Sequence, residues 1–146
     1  MSALADAVLA GKALYVGISN YRAAAAGRAI AALKALGVPC LIHQPKYSML
    51  DRWIETDGLL DTLEEAGTGC IVFAPLYEGV LTEKYLEGIP KGCRADRGSR
   101  CGSMGREGVT DDAVAAARRL KPIADRLGLP LAHLALKWVL RASPPR

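Results

Sequence analysis

The chain has 146 residues, the size of one domain, and at 51% hydrophobic and 23% charged it has the composition of a folded protein and not of a disordered one. No apolar run approaches the ~20 residues that a membrane span needs, so membrane insertion is not expected. The net charge of +4 admits an anionic ligand or a nucleic acid as partner, but no RNP, zinc-finger or helix-turn-helix pattern accompanies it.

The opening MSALADAVLAGK has a short apolar run and no basic leader, which argues against a signal peptide and makes the cytoplasm the default compartment. Leu4–Leu9 reads as a helix that ends at Gly11. Ala13–Ile18, ALYVGI, reads as a strand whose continuous apolar character suits a parallel sheet covered on both faces. Arg22–Leu36 is alanine-rich with helical spacing and is stopped by Gly37 and Pro39. Cys40–His43 is a second short strand. Gly58–Ala66 is helical, with Leu59, Leu60 and Leu63 on one face. Gly69–Ala74 is a third strand, β-branched, opened by Gly69 and stopped by Pro75.

Strand, helix, strand, helix, strand with short connections implies parallel strands joined by right-handed crossovers. Beyond them, Gly88–Val109 is irregular and carries Arg94, Arg97, Arg100 and Arg106. It reads either as a solvated loop or as a mobile basic flap over a phosphorylated ligand. Thr110 with Asp111 makes a helix N-cap, and the helix runs to about Leu127. Pro130 then suits the first turn of a last helix over Leu131–Leu140. Of the four cysteines, Cys40 and Cys70 open strand runs as small buried hydrophobes. Cys93 and Cys101 share the basic loop, where a disulfide has no secretory context to favour it.

Three stretches carry chemistry: GKALYVGISNY (Gly11–Tyr21), LIHQPKYSMLDRW (Leu41–Trp53) and GCIVFAPLYEGVLTEKY (Gly69–Tyr85). In this order and at this spacing they resemble the later strands of the aldo-keto reductases. They are most similar to the bacterial glyceraldehyde-3-phosphate-reducing branch, which is close to potassium-channel β subunits. The resemblance implies an α/β fold, a partial (β/α)8 TIM barrel of about three parallel strands with flanking helices. It also implies NADPH as cofactor and, in intact relatives, a small-molecule carbonyl substrate.

The family places a Ser-Asn pair after its fifth strand, matched by Ser19 and Asn20, to hold the nicotinamide carboxamide. Gln44 of the QxxY pattern, with Tyr47, follows the sixth strand and reaches the same group. His43 would project to the opposite side by strand alternation and is not expected to be catalytic. His133, in an apolar helix, reads as structural. Phe73 matches the aromatic residue that stacks on the nicotinamide. Ala74, Pro75, Leu76 and Gly79 match the loop whose backbone N–H groups bind pyrophosphate. Lys84 and Arg94 match contacts to cofactor phosphates, whereas Glu78 departs from the small or amide residue usual there.

Reduction in the family relies on a catalytic Tyr, Lys, Asp and His from earlier strands. No DxxxxYG-like stretch occurs in this sequence, and the strand that would read the adenosine 2′-phosphate is not evident either. The expectation is therefore a single domain over residues 1–146, truncated at both ends, with no metal, no catalytic set and no turnover in isolation. Three strands leave open edges, so self-association is expected. Two further readings stand beside this one: a non-enzymatic cofactor-sensing or scaffold protein of the same fold, and a nucleic-acid binder using the basic loop.

Overall fold

A computed structural model describes residues 1–93, 95–96 and 108–141. Arg94, Arg97, Arg100, Cys101 and Arg106 lie outside the described residues, and with them the basic flap and the Cys93–Cys101 pairing. The chain forms two compact units, the first of Met1–Lys46 and Arg52–Phe73, the second of Tyr47–Asp51 and Ala74 onward.

The first unit holds helix α1 (Ser2–Leu9), strand β1 (Val16–Ser19), helix α2 (Ala23–Ala35), strand β2 (Cys40–Gln44), the single turn α3 (Trp53–Thr56), helix α4 (Leu59–Ala66) and strand β3 (Gly69–Cys70). The strands form one sheet in the order β1-β2-β3, and both pairings are parallel. Its buried set is built from Val16, Ile18, Leu33, Cys40, Ile54, Leu59 and Leu63, with α2 packed on α4. Gly37, at φ +75, ends α2 by letting the Val38 N–H reach back to the Leu33 carbonyl at 3.1 Å, a left-handed cap that most residues resist.

Two strand boundaries differ from expectation by more than one residue. β1 starts at Val16 and not Ala13, because Lys12 and Ala13 donate back to the Ala7 carbonyl and Leu14 and Tyr15 are left exposed. β3 covers two residues, followed by an isolated bridge between Phe73 and Lys46, instead of running through to Ala74. The cause lies on the neighbouring strand end. Ile71 donates to His43 and Phe73 donates to Pro45, each at 3.1 Å, but the bond between them needs an N–H from Pro45, which has none.

The second unit holds a short 3-10 turn (Tyr77–Gly79), helix α5 (Asp111–Arg126) and helix α6 (Leu131–Val139). Thr110 caps α5, its hydroxyl accepting from the Ala113 N–H at 3.2 Å as its position predicts. Ala113, Ala117 and Ala124 let α5 lie close to its neighbours and pack with Val80, Tyr85 and Leu131. Tyr47 stacks at 5.3 Å on Trp138, and the Arg141 guanidinium lies 3.6 Å over the Trp138 ring while donating to the Tyr47 hydroxyl at 2.8 Å. No helix among the described residues is long and apolar enough to cross a membrane.

Candidate functional site

At the carboxyl end of the sheet the register sets Ser19 opposite Gln44 and Ile18 opposite His43. Paired residues in a parallel sheet project to the same side, so Ser19 and Gln44 share one face and Ile18 and His43 the other. Burial follows that division: Ile18 and His43 are buried, Gln44 is half-buried and Ser19 is exposed. A bulge between Val16 and Gly17 shifts the pairing by one residue, and only with that shift do Ser19 and Gln44 meet.

Hydrogen bonds then draw the turn after β1 against the end of β2. The Ser19 hydroxyl donates to the Gln44 carbonyl at 2.7 Å, and the Asn20 N–H donates to the same oxygen at 3.2 Å. Asn20 Oδ1 accepts from the Lys46 N–H at 3.1 Å. Lys46 in turn is bridged to Phe73, which is half-buried. Ser19, Asn20, Gln44 and Phe73 are therefore gathered at one edge of the sheet.

The bonds already made fix what each group has left. Ser19 has used its proton and keeps oxygen lone pairs. Asn20 has engaged its carbonyl and keeps an NH₂ that meets no acceptor among the described residues. Asn20 is also held at φ +58, in the left-handed region that Asn tolerates better than most residues. Strain of that kind is stored where a side chain has to be aimed.

In the second unit, Ala74, Pro75, Leu76 and Gly79 share one loop. Ala74, Tyr77 and Glu78 all have positive φ, at 54, 45 and 63, which winds the loop left-handed. Two of its five N–H groups, and those of the three residues after it, donate locally, while the Ala74, Leu76 and Glu78 N–H groups donate to no backbone carbonyl among the described residues. Tyr77 donates to Ala74, Gly79 and Leu81 to Leu76, Val80 to Tyr77 and Thr82 to Gly79. Lys84 is exposed, with its ammonium 5.4 Å from the Tyr85 ring centroid. A groove of about 550 Å³ in this unit is lined by Thr82, Glu83, Asp125 and the start of α6, and none of the residues named for cofactor contact lines it. Among the described residues no cluster of three His, Cys, Asp or Glu side chains is arranged to hold a metal ion.

Two residues shape the strand-end cluster without having been singled out for it. His43 is fully buried, and its Nε2 lies 3.1 Å from the Tyr21 carbonyl. A carbonyl only accepts, so Nε2 carries the proton; burial pushes the imidazole below its ordinary pKa, against the opposing pull of that bond. Asp57 accepts from the Ala23 N–H at 2.6 Å and pairs with Arg22 at 3.5 Å, and that guanidinium lies 4.4 Å over Trp53. The amino end of α2 is thus capped by a carboxylate 34 residues away in sequence. The sequence gives little sign of either: His43 follows an apolar run, and Asp57 only precedes a glycine.

A parallel sheet with flanking helices and polar side chains gathered at its carboxyl edge fits part of a β/α barrel. Solved barrels superpose on it. A glycerol dehydrogenase from Gluconobacter oxydans gives a TM-score of 0.66 at 22% identity, covering 94% of this chain and 39% of its own. A thermostable aldo-keto reductase solved with the inhibitor epalrestat gives 0.62 at 25% identity, covering 95% of this chain and 38% of its own.

The chain belongs to the aldo/keto reductase family, whose sequence model matches residues 1–145. It is 44% identical over 141 residues to the L-glyceraldehyde 3-phosphate reductase of Escherichia coli K12, covering 96% of this chain. It is also 36% identical over 131 residues to a probable voltage-gated potassium channel subunit beta of Arabidopsis thaliana, covering 88% of this chain. The chain spans about two fifths of the length of these relatives, 41% and 39%. Members of the family generally use NADH or NADPH and act on small carbonyl compounds.

Proposed function

We propose that this chain is the nicotinamide-side part of an NADPH-dependent reductase of small aldehydes, with Ser19, Asn20 and Gln44 holding the cofactor's carboxamide and Phe73 against its ring. One observation carries the reading: the hydrogen-bonding capacity left at the strand ends. A carboxamide presents N–H donors on one side and a carbonyl acceptor on the other. Ser19, its proton already given to the Gln44 carbonyl, offers an acceptor. Asn20, its carbonyl already engaged by Lys46, offers a donor. The pair is complementary to a primary amide held in one orientation, and the Gln44 side chain adds a second amide at the same edge.

Bound there, the reduced nicotinamide supplies hydride to a carbonyl carbon. The residues of this chain orient it and cover one ring face. Phosphate contact in this reading falls on Ala74, Pro75, Leu76, Gly79, Lys84 and Arg94. The Ala74 and Leu76 N–H groups, which donate to no backbone carbonyl among the described residues, and the charge of Lys84 are what this loop offers a phosphate. The 44% identity to an L-glyceraldehyde 3-phosphate reductase favours a small, phosphorylated aldehyde as substrate of the intact enzyme. The likeness to a potassium channel subunit beta favours, as a second reading, a cofactor-sensing scaffold of the same fold.

The Asp, Tyr, Lys and His of the family's acid–base chemistry are assigned to none of these 146 residues, which we read as one partial domain. Without a proton donor for the alkoxide, some 10²–10⁴-fold of rate is missing before geometry enters. NADPH titration by cofactor fluorescence, followed by NADPH oxidation with glyceraldehyde, methylglyoxal and a nitrobenzaldehyde, tests both parts. Saturable binding without turnover is expected. Absence of binding contradicts the assignment of the cofactor cradle, and turnover that tracks the repurified protein contradicts the assignment of the catalytic set elsewhere.

A further inference from the structure

We infer that His43 is the positioning residue of the carboxamide cradle: from inside the first unit it fixes the turn that aims Ser19 and Asn20. The inference rests on the reading of that edge as a nicotinamide site. Asn20 is the strained residue of the turn, at φ +58, and a left-handed residue persists only when the backbone on both sides of it is held. On the amino side the holding is done by the ladder, through Ser19 paired with Gln44 and the Asn20 N–H on the Gln44 carbonyl. On the carboxyl side there is no ladder, because β1 has ended. There the next carbonyl, that of Tyr21, is held by His43 Nε2 at 3.1 Å, and two residues later the Ala23 N–H is held by Asp57.

The choice of residue supports this role. His43 is fully buried, continues the apolar run Cys40-Leu41-Ile42 and leaves Nδ1 without a hydrogen-bond partner among the described residues. A buried polar atom without a partner is destabilising, and a leucine in the same place would fill the space without that cost. What the imidazole contributes that leucine would not is the bond to Tyr21. His43 and Gln44 are adjacent on β2 and project to opposite sides. One strand end thus supplies both a side chain at the ligand edge and, from behind, the anchor of the turn facing it.

The test uses His43→Leu, which keeps the volume and removes the donor, and His43→Gln, whose side-chain amide can donate to Tyr21 again. Amide hydrogen exchange at Asn20 and Lys46 reads the turn directly, since their N–H groups bond to Gln44 and to Asn20 itself. His43→Leu is expected to lose about tenfold or more protection at these two amides while α2 amides such as Ile30 keep theirs, and His43→Gln is expected to restore it. NADPH affinity is expected to fall and recover in parallel. Wild-type exchange at Asn20 and Lys46 in the leucine variant, or a uniform loss across α2 that glutamine fails to reverse, overturns the role. If the wild-type chain binds no NADPH, the nicotinamide reading fails, and the exchange rates still decide whether His43 fixes the turn. Should the leucine variant not fold, the imidazole ¹⁵N shifts of the wild type decide: a proton on Nε2 supports the bond to Tyr21, and a proton on Nδ1 removes it.

Discussion

Asn20 concentrates what single residues do here. Its backbone is left-handed at φ +58, and its side-chain oxygen holds the Lys46 N–H at 3.1 Å. Asn20→Ala adds the strain of a left-handed β-carbon to the loss of that bond, together about 2 kcal/mol, whereas Asn20→Gly loses the bond but not the ease of the conformation. Urea unfolding of the two variants should therefore rank alanine below glycine, the reverse of the order in ordinary helix or strand positions. His43 gives a prediction with pH. Its pKa is lowered in the folded chain from the ordinary 6.5, chiefly by burial. The unfolded chain takes up the proton first as pH falls through about 6.5, so stability contributed by the neutral imidazole is complete above that pH and is lost below it. Wild type should lose stability between pH 7 and pH 5 more steeply than His43→Gln; equal slopes would show that the imidazole is not held neutral.

At the scale of elements, helices were easier to read from sequence than strands. α2 and α5 announce themselves by apolar spacing and by Gly37 and Gly128 just beyond their ends, and Thr110 by its place before Asp111-Asp112. All of that information is local. β3 was not legible because its interruption is caused by Pro45, on a strand end about 25 residues earlier, and β1 because the end of α1 takes Lys12 and Ala13 away from the sheet. The motifs placed Ser19, Asn20, Gln44 and Phe73 at one edge, since each ends or follows a strand. The parts supplied from a distance, the Asp57 cap and the His43 anchor, leave no pattern in a linear reading. Thr110→Ala should cost about 1 kcal/mol, and Asp57→Ala a similar amount through α2, each measured by chemical denaturation. Gly17 leaves no room for a side chain beside β2: a β-carbon there would lie 3.0 Å from the Ile42 carbonyl oxygen. Gly17→Ala should accordingly destabilise the first unit by about 1–3 kcal/mol, and an unchanged denaturation midpoint would show that the bulge yields without cost.

For the molecule as a whole, the family fold and the length of the match meet in one physical consequence. Leu14 is 84% exposed, Tyr15 69%, Leu41 49% and Ile71 45%, all in or beside the three strands. Apolar surface of this kind is worth roughly 25 cal/mol per Å² when covered, and open strand edges offer a way to cover it. The 146-residue chain should self-associate, with a mass by light scattering that rises with concentration; a sharp 15.5 kDa peak across the series would show that it covers these residues itself. The strand-end cradle is polar in a defined sense, with an acceptor from Ser19 beside a donor from Asn20. Competitive binding of NADP⁺ and of its nicotinic acid analogue, which has a carboxylate in place of the carboxamide, tests it most directly. An acceptor facing that carboxylate leaves one hydrogen bond unmade and two lone pairs opposed, so the acid should bind about 10–100-fold more weakly, and Ser19→Ala should narrow the gap. Equal affinity for the amide and the acid would show that Ser19 presents no acceptor to the carboxamide.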